Sequence, residues 1–307
     1  MKKAAFYLLG VLFLASCQKE DTTPASNYNL VFKFKFDSTQ ARLNSIGMPS
    51  TIPAGNAGQS PVFNKMSAHY IELAQTATTL LGSGAVLYKA PETLAGGATA
   101  IDFSKSTLAA NGEVFFTIPL KQVANGNYEW LRVSLAYQNY DVKYRIDTTI
   151  SSPGGPISIN QEDTGTVASF IGFNSYLTSY QINTTSVIVN GNRKQGYWGF
   201  ESTYSLPFVG SRTDTATGQA PENATTVVNP IQSTSPIPAG SCVVTAAFQP
   251  GKLSITGNET KDIVVEVSLS TNKSFEWKEV VANGKWDPAK NEKIVDMGIR
   301  GMKPTWQ

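Results

Sequence analysis

The sequence predicts an all-β protein, an antiparallel β-sandwich-like domain with long loop insertions. Segments in which apolar and polar residues alternate recur along the chain, as expected for strands with one buried and one wet face. Turn-forming residues separate these segments at short intervals, and stretches with the 3.6-residue period of a helix are few. A hydrophobic content of 41% over 307 residues is sufficient to form a core.

The first half of the chain contains several predicted strands. Asn29–Phe36 reads NLVFKFKF, with leucine and three phenylalanines on one face, which predicts an antiparallel strand. Tyr70–Leu81 and Ala85–Lys89 flank a Gly-Ser-Gly turn and predict a hairpin. The first of these two could also form a short helix, but its β-branched residues favour a strand. Glu113–Leu120 predicts a further strand, in which Pro119 indicates an edge or a strand end.

The second half continues the pattern. Alternating residues from Trp130 onward predict a strand after a turn at Asn125-Gly126. Ser186–Glu201 predicts a tight hairpin, because Asn190-Gly191 favours a two-residue primed turn. Three more strands are predicted at Val243–Phe248, Lys252–Thr256 and Asp262–Leu269.

Two segments rich in proline, glycine, serine and threonine interrupt the strands, Ser151–Thr166 and Ser205–Gly240. We interpret both as loops inserted in one domain that spans residues 29–307, with a linker between two domains as the alternative. The second segment is far longer than an ordinary connection, which indicates a functional or mobile loop.

The N-terminus has the features of a bacterial lipoprotein signal. Lys2 and Lys3 precede an apolar run over residues 4–15, too short to span a bilayer. The following Leu-Ala-Ser-Cys resembles a lipobox. This resemblance implies that residues 1–16 are a signal peptide and that residues 17–28 are a lipidated Cys17 with a flexible tether, held in the lipid bilayer by its acyl chains. The alternative is an ordinary secretory signal with an incidental cysteine.

The residues after this cysteine suggest a location. Gln-Lys-Glu-Asp at positions 18–21 is similar to the export signal of Bacteroidetes surface lipoproteins, a lysine followed by two acids. The resemblance implies that Lys19, Glu20 and Asp21 direct the protein to the outer face of the outer membrane. The alternative is a polar tether on the periplasmic face.

Charge and scarce residue types exclude several functions. A formal net charge of +2 with 16% charged residues argues against nucleic-acid binding. The single histidine, His69, cannot build a histidine-rich metal site and has no Gly-x-Ser-x-Gly partner, so we interpret it as a strand histidine paired with its neighbours. Cys242 is expected to be a buried, unreactive thiol. We predict no catalytic residue, metal or cofactor.

Aromatic residues beside polar sequence are the candidates for ligand binding. Ring faces stack on the apolar faces of sugars, while nearby Asn, Gln and Asp bind hydroxyl groups. Tyr140, Tyr144, Tyr176 and Tyr180 are predicted to be the best exposed, because each neighbours polar, loop-like sequence. The alternative is that they form core contacts and cross-strand pairs.

A short motif suggests a modification. Asp214-Thr215-Ala216 resembles the O-glycosylation acceptor of exported Bacteroidetes proteins, an acid followed by Ser or Thr and a small residue. The resemblance implies glycosylation at Thr215, which we expect to lie in the long polar loop.

The order of the strands is similar to that of the MbnP-like periplasmic and surface lipoproteins. The resemblance rests on NLVFKFKF after the anchor, HYIEL, NGNYEWLRVSL and GYWGFE, and it covers much of residues 29–270. It implies a β-rich domain, and copper handling for some members. Our prediction is a surface lipoprotein that binds a glycan, a peptide or an outer-membrane partner protein without catalysis. The alternatives are a periplasmic-facing metal-handling lipoprotein and a structural surface protein without a small ligand.

Overall fold

The computed structural model describes residues 27–206, 210–221, 224–237 and 241–307, which form an all-β fold as predicted. The strands before residue 171 are β1 (Asn29–Asp37), β2 (Asn56–Gln59), β3 (Val62–Ala74), β4 (Ala85–Lys89), β5 (Glu92–Thr93), β6 (Ala100–Asp102), β7 (Val114–Pro119), β8 (Gly126–Tyr128), β9 (Trp130–Ser152) and β10 (Gly155–Phe170). The later strands are β11 (Asn174–Gln181), β12 (Ser186–Lys194), β13 (Tyr197–Leu206), β14 (Gly210–Gln219), β15 (Val243–Ala247), β16 (Leu253–Ile255), β17 (Ile263–Ser270), β18 (Phe275–Lys278), β19 (Ile294–Asp296) and β20 (Met302–Trp306). The helical elements of these described ranges are single 3₁₀ turns at Phe103–Lys105, Leu120–Gln122 and Pro288–Lys290.

Two sheets carry most of the strands. One has the order β20-β17-β1-β7, and a larger, curled sheet has the order β14-β13-β10-β9-β3-β4, with β15 also pairing with β9. A third sheet, β12-β11-β6-β5, packs on the large sheet through a separate hydrophobic cluster. The small sheets β16-β8 and β19-β18-β2 complete the fold.

The first strand shows how the sequence pattern builds the core. Leu30, Phe32 and Phe34 are fully buried, while Lys33 is half-buried and Lys35 is exposed. The three apolar residues belong to the same hydrophobic cluster as the inward side chains of β3 and β9. Burying each phenylalanine side chain stabilises the fold by about 1.5–3 kcal/mol. The predicted alternation is confirmed, but the pairing is mixed: β1 runs parallel to β17 and antiparallel to β7.

Other predicted strands are also found. The segments predicted at residues 113–120, 243–248 and 252–256 contain β7, β15 and β16, and the segment at 262–269 covers all but the last residue of β17. β7 is an edge strand, as Pro119 indicated.

The predicted hairpin around the Gly-Ser-Gly turn is confirmed as β3 and β4. A fully buried ion pair between Glu72 and Arg132 organises its turn. Glu72 Oε1 accepts hydrogen bonds from the amides of Gly82 and Gly84, at 3.0 and 2.7 Å. Arg132 Nη2 donates to the Thr79 carbonyl at 2.6 Å. The two charges therefore fix the connection between the strands.

The prediction of a loop over Ser151–Thr166 is wrong, because β9 and β10 pair along the whole length of β10. Ile157 lies directly opposite Ile150, and aliphatic cross-strand pairs of this kind stabilise a sheet. Serine and threonine tolerate the wet face of such a pair, so a polar composition does not exclude a strand. The connection is a short turn in which Gly155 has a φ of 108°.

The predicted hairpin over Ser186–Glu201 is also wrong, because its two strands belong to different sheets. β12 pairs with β11, whereas β13 pairs with β10 and β14. Asn190 has a φ of 49° inside β12, opposite a register shift in β11, so the Asn-Gly pair forms a bulge. The chain turns instead at Gly196, whose φ of 88° favours glycine.

Ser205–Gly240 is only partly a loop. It contains the edge strand β14, which pairs with β13 along its full length. Beyond this strand, Ala224 and Val228 are buried in the main core. Thr215 occupies an exposed position of β14, so its expected placement in a loop is wrong, while its glycosylation remains a prediction.

The N-terminal features lie outside the described residues: the signal peptide at residues 1–16, the lipid-acceptor Cys17, and the export residues Lys19, Glu20 and Asp21. In the part of the chain that the structure describes, no helix combines the length and apolar character needed to cross a membrane.

Candidate functional site

Three of the four tyrosines predicted to be exposed are buried, so that expectation is wrong for them. Tyr140, Tyr144 and Tyr180 expose 0%, 4% and 3% of their surface. The Tyr140 ring packs against Phe63 at a centroid distance of 5.0 Å, and the Tyr180 ring lies 5.0 Å from that of Phe170. Burial raises the pKa of Tyr144 to about 12 and also raises those of Tyr140 and Tyr180. They occupy inward-facing strand positions, and the polar neighbours that suggested exposure alternate with them on the opposite face.

Tyr176 is the candidate that remains partly exposed. It is half-buried in β11 and pairs directly with Asn192 of β12. Asn174 lies two residues before it, opposite Lys194. Directly paired residues of antiparallel strands share a face of the sheet, so this face carries Tyr176 together with two asparagines and a lysine.

A cleft of about 700 Å³ opens beside this face, and we call it the amide cleft. It is lined by Ala98, Phe173, Asn174, Asn192, Lys194, Gln195, Gln219 and Ala220. The lining residues come from places where the chain passes between the small and the large sheet, at the start of β11 and the ends of β12 and β14. The volume lies within the ~300–1,000 Å³ of ordinary small-ligand sites.

Each of the four amide side chains in the lining donates its NH₂ group to a backbone carbonyl. The donor–acceptor pairs are Asn174 Nδ2 to Thr99 O at 3.0 Å, Gln195 Nε2 to Ile171 O at 3.1 Å, Gln219 Nε2 to Gln195 O at 2.7 Å, and Asn192 Nδ2 to both Gly96 O and Ala98 O at 3.3 Å. A backbone carbonyl can only accept a hydrogen bond, so these contacts fix the orientation of every amide. The amides thereby hold the loops that form the walls of the cleft.

This arrangement leaves three amide oxygens without an internal donor. The side-chain oxygens of Asn174, Gln195 and Gln219 accept no hydrogen bond from any residue that the structure describes, and Asn174 and Gln195 each keep one unused N–H. Asn192 Oδ1 also has no partner among the described residues, but it is buried against Gly96 and is not available to a ligand. The wall of the cleft therefore offers three acceptors together with a few donors.

An aromatic ring and one positive charge complete the cleft. Phe173 is 41% exposed and is the one phenylalanine among the exposed large apolar side chains of the described residues. The exposed Lys194 forms no ion pair with any described residue. The lining contains no carboxylate, so a cation gains no charge compensation there.

His69 packs against the exposed ring, and the two residues together border a further cavity. Its ring lies 5.3 Å from that of Phe173, and its Nε2 lies 3.0 Å from Glu92 Oε1. Burial lowers the pKa of His69, while the hydrogen bond to Glu92 acts in the opposite direction. The interpretation of His69 as a strand histidine paired with its neighbours is therefore confirmed.

A second cavity, of about 380 Å³, lies beside β9, β13 and β14. Tyr144 and Phe200 line it together with Tyr204, Arg212 and Asp214. The Tyr204 hydroxyl and Arg212 Nε both donate to the Asp214 carboxylate, the latter at 2.9 Å. The Tyr144 hydroxyl is buried without a hydrogen-bond partner among the described residues.

The histidine and the thiol of the described chain line a third cavity without forming a reactive pair. His69 and Cys242 both border this cavity of about 380 Å³. Cys242 is half-buried, less buried than expected, and burial raises its pKa to about 11. A nucleophilic cysteine needs the opposite shift. The described residues also contain no group of three or more His, Cys, Asp or Glu that could hold a metal ion.

Comparison with protein-family models, with curated proteins and with solved structures found no match to this chain. The resemblance to the MbnP-like lipoproteins therefore rests on the sequence features alone.

Sequence reasoning identified the right kinds of side chain but mostly the wrong residues. Phe173, Asn192, Gln195 and Gln219 were not candidates, although each lies within two residues of a glycine. An amide beside a glycine at a strand end is the signal that could have indicated them. No pattern in a single sequence reveals that the start of β11 and the ends of β12 and β14 lie next to one another.

Proposed function

We propose that this protein is a lipid-anchored lipoprotein of the outer membrane, displayed at the cell surface, that binds a small polar ligand without transforming it. Cys17 would carry the acyl chains, and Lys19, Glu20 and Asp21 would direct the chain outward. The described domain would then act as a binding module on a short tether.

The amide cleft is the observation that supports the binding role. Its side-chain oxygens accept no internal hydrogen bond from the residues that the structure describes, so a ligand that donates hydrogen bonds to them gains binding free energy. The cleft lining has no carboxylate, cysteine or histidine, so it lacks the usual acid, base and nucleophile of a hydrolase.

The anchor is tested by metabolic labelling with a palmitate analogue in wild type and in Cys17→Ala, with surface proteolysis of intact cells. Label that is lost in the variant, with a protease-sensitive wild type, supports the proposed location. Label that survives the substitution refutes the anchor. Label that is lost, combined with protease resistance of the wild type, indicates the periplasmic side.

The binding role is tested on the full-length protein in a sugar-free zwitterionic detergent. Hydrogen exchange of the cleft walls, residues 95–99 and 194–196, is compared with and without separate pools of neutral oligosaccharides, short peptides, polyamines and copper ions. Protection of both walls by any one pool supports a binding module. Absence of protection by every pool contradicts it.

A further inference from the structure

We propose that the ligand of the amide cleft is a neutral carbohydrate, with a pyranose ring stacked on Phe173 and its hydroxyl groups donating hydrogen bonds to the oxygens of Asn174, Gln195 and Gln219. This inference rests on the proposed binding function and specifies its ligand. It follows from the polarity of the cleft, its charge and its exposed ring.

The polarity of the cleft selects a ligand that donates hydrogen bonds. Each amide NH₂ donates at least one N–H to a backbone carbonyl, which leaves the side-chain oxygens of Asn174, Gln195 and Gln219 without a donor among the described residues and one N–H of Asn174 and of Gln195 unused. Carboxylate, sulfate and phosphate groups only accept hydrogen bonds and would leave the three amide oxygens unpaired. Hydroxyl groups, in contrast, donate to these oxygens and still accept from the Lys194 ammonium at the same wall.

Charge and shape narrow the choice among donors. Ammonium groups and metal ions also suit carbonyl oxygens, but Lys194 is the one charged side chain of the lining and it is positive. The exposed face of Phe173 favours a ligand with a flat apolar side. A pyranose ring combines an apolar face of C–H groups with a rim of hydroxyls, and aromatic ring faces pack against such apolar surfaces. A cleft of about 700 Å³ has space for a ring of this size and for neighbouring units.

The structure also shows how the stacking ring is held. Phe173 lies at the connection between β10 and β11, with the His69 ring packed against it at 5.3 Å between ring centroids. The Gly196 amide donates to the carbonyl of Phe170, three residues before Phe173, at 2.8 Å, and the Ala220 amide donates to Gly196 O at 2.9 Å. Because both walls are fixed before a ligand enters, binding loses little conformational freedom.

The test begins with a glycan array probed with the full-length protein in zwitterionic detergent. Calorimetry then measures the affinity for the neutral oligosaccharide that binds best on the array, at concentrations up to ~1 mM. A weak site with a binding free energy of about −4 kcal/mol is half filled at that concentration. The variant is Phe173→Ala. The matched control is Ile188→Ala, which removes a more exposed apolar side chain (77%) from β12 at a position outside the cleft.

The expected result is binding of a neutral oligosaccharide that weakens about tenfold in Phe173→Ala, or ~1.4 kcal/mol, and is unchanged in Ile188→Ala. Asn174→Ala, which removes one acceptor together with the hydrogen bond to Thr99 O, should weaken binding severalfold in a second variant. Melting temperatures of the variants that equal that of the wild type exclude a folding defect as the cause of weaker binding.

Three outcomes overturn the proposal. Sugar binding that Phe173→Ala leaves unchanged places the sugar elsewhere. Protection of the cleft by peptides or polyamines, with no sugar bound, refutes the carbohydrate but leaves the binding function intact. If no ligand pool protects the cleft from hydrogen exchange, both the carbohydrate proposal and the proposed binding function are refuted.

Discussion

Replacing Gly96 with alanine should separate ligand binding from stability. Gly96 lies in the β5–β6 loop that forms one wall of the amide cleft, and its φ is in the range that ordinary residues adopt. A Cβ atom at this position would stand 2.0 Å from Asn192 Oδ1 and 2.4 Å from its Cγ. Real contacts are never this short, so the Asn192 amide must rotate away from Gly96.

The expected change in unfolding free energy is a modest gain, because the stabilising effects exceed the loss. The rotation breaks two hydrogen bonds of 3.3 Å, long enough to contribute only about 0.5 kcal/mol each. It also releases the buried, unpartnered Asn192 oxygen, whose burial costs about 1–3 kcal/mol. Alanine further restricts the unfolded chain, which stabilises the protein by about 0.4–1 kcal/mol. The variant should therefore be about 0.4–3 kcal/mol more stable than wild type.

Binding should change in the opposite direction. The displaced Asn192 amide and the loosened loop change the wall of the cleft, so affinity for the bound oligosaccharide should fall about tenfold. Calorimetry measures the affinity, and urea denaturation of the same samples measures the stability. Gly251→Ala is the matched control, because its Cβ would meet no atom within 4 Å and its φ permits alanine.

Two results would refute this reasoning. A loss of stability would mean that the Asn192 contacts hold the loop far more tightly than their lengths imply. Unchanged affinity in the folded variant would mean that this wall does not contact the ligand.

Three further predictions concern the described domain. The pKa of His69, the single histidine of the chain, should lie below 6.5 because the ring is buried, and an NMR titration can measure it. The contribution of the neutral ring to stability is therefore full above pH 6.5 and is lost as the pH falls through the lowered pKa. Denaturation at pH 7 and at pH 5 measures this loss. Glu72→Gln should lower the free energy of unfolding by about 3–5 kcal/mol, because it leaves the Arg132 guanidinium buried and unpaired. Adding Arg132→Met should recover much of this loss. Equal losses of stability in the single and the double variant would contradict a buried pair. In the Cys17→Ala variant, whose remaining cysteine is Cys242, the thiol should react slowly with a thiol reagent at pH 8, because burial raises its pKa to about 11. Fast reaction would show that the Cys242 thiol is accessible and ionised.

The fold was predictable where side-chain alternation alone decides the structure. Leu30, Phe32 and Phe34 identify β1 and its buried face, because a period of two is incompatible with a helix. The predictions failed where local turn chemistry competed with long-range pairing. Asn190-Gly191 has the sequence of a tight turn, yet pairing with β11 and packing of the small sheet turn it into a bulge.

The site was less predictable, for a related reason. Exposure of a strand residue depends on which face meets the core, and this is set by partners far along the chain. The polar neighbours of Tyr140 and Tyr180 occupy the other face of their strands, so they gave no information on these rings. Phe173 was overlooked because nothing in the sequence around it indicates that its ring remains exposed between two sheets.

The amide cleft links the architecture of the domain to the ligand that it can accept. The same NH₂ groups that hold the β5–β6 loop and the strand ends together leave the oxygens of Asn174, Gln195 and Gln219 without an internal donor in the part of the chain that the structure describes. Selectivity for hydrogen-bond donors is thus a consequence of how the two sheets are joined. A substitution such as Asn174→Asp would remove the tie to Thr99 and add a negative charge at once. The replacement that tests recognition with the least effect on the fold is therefore the exposed Phe173, which contributes an apolar surface but no tie between the sheets.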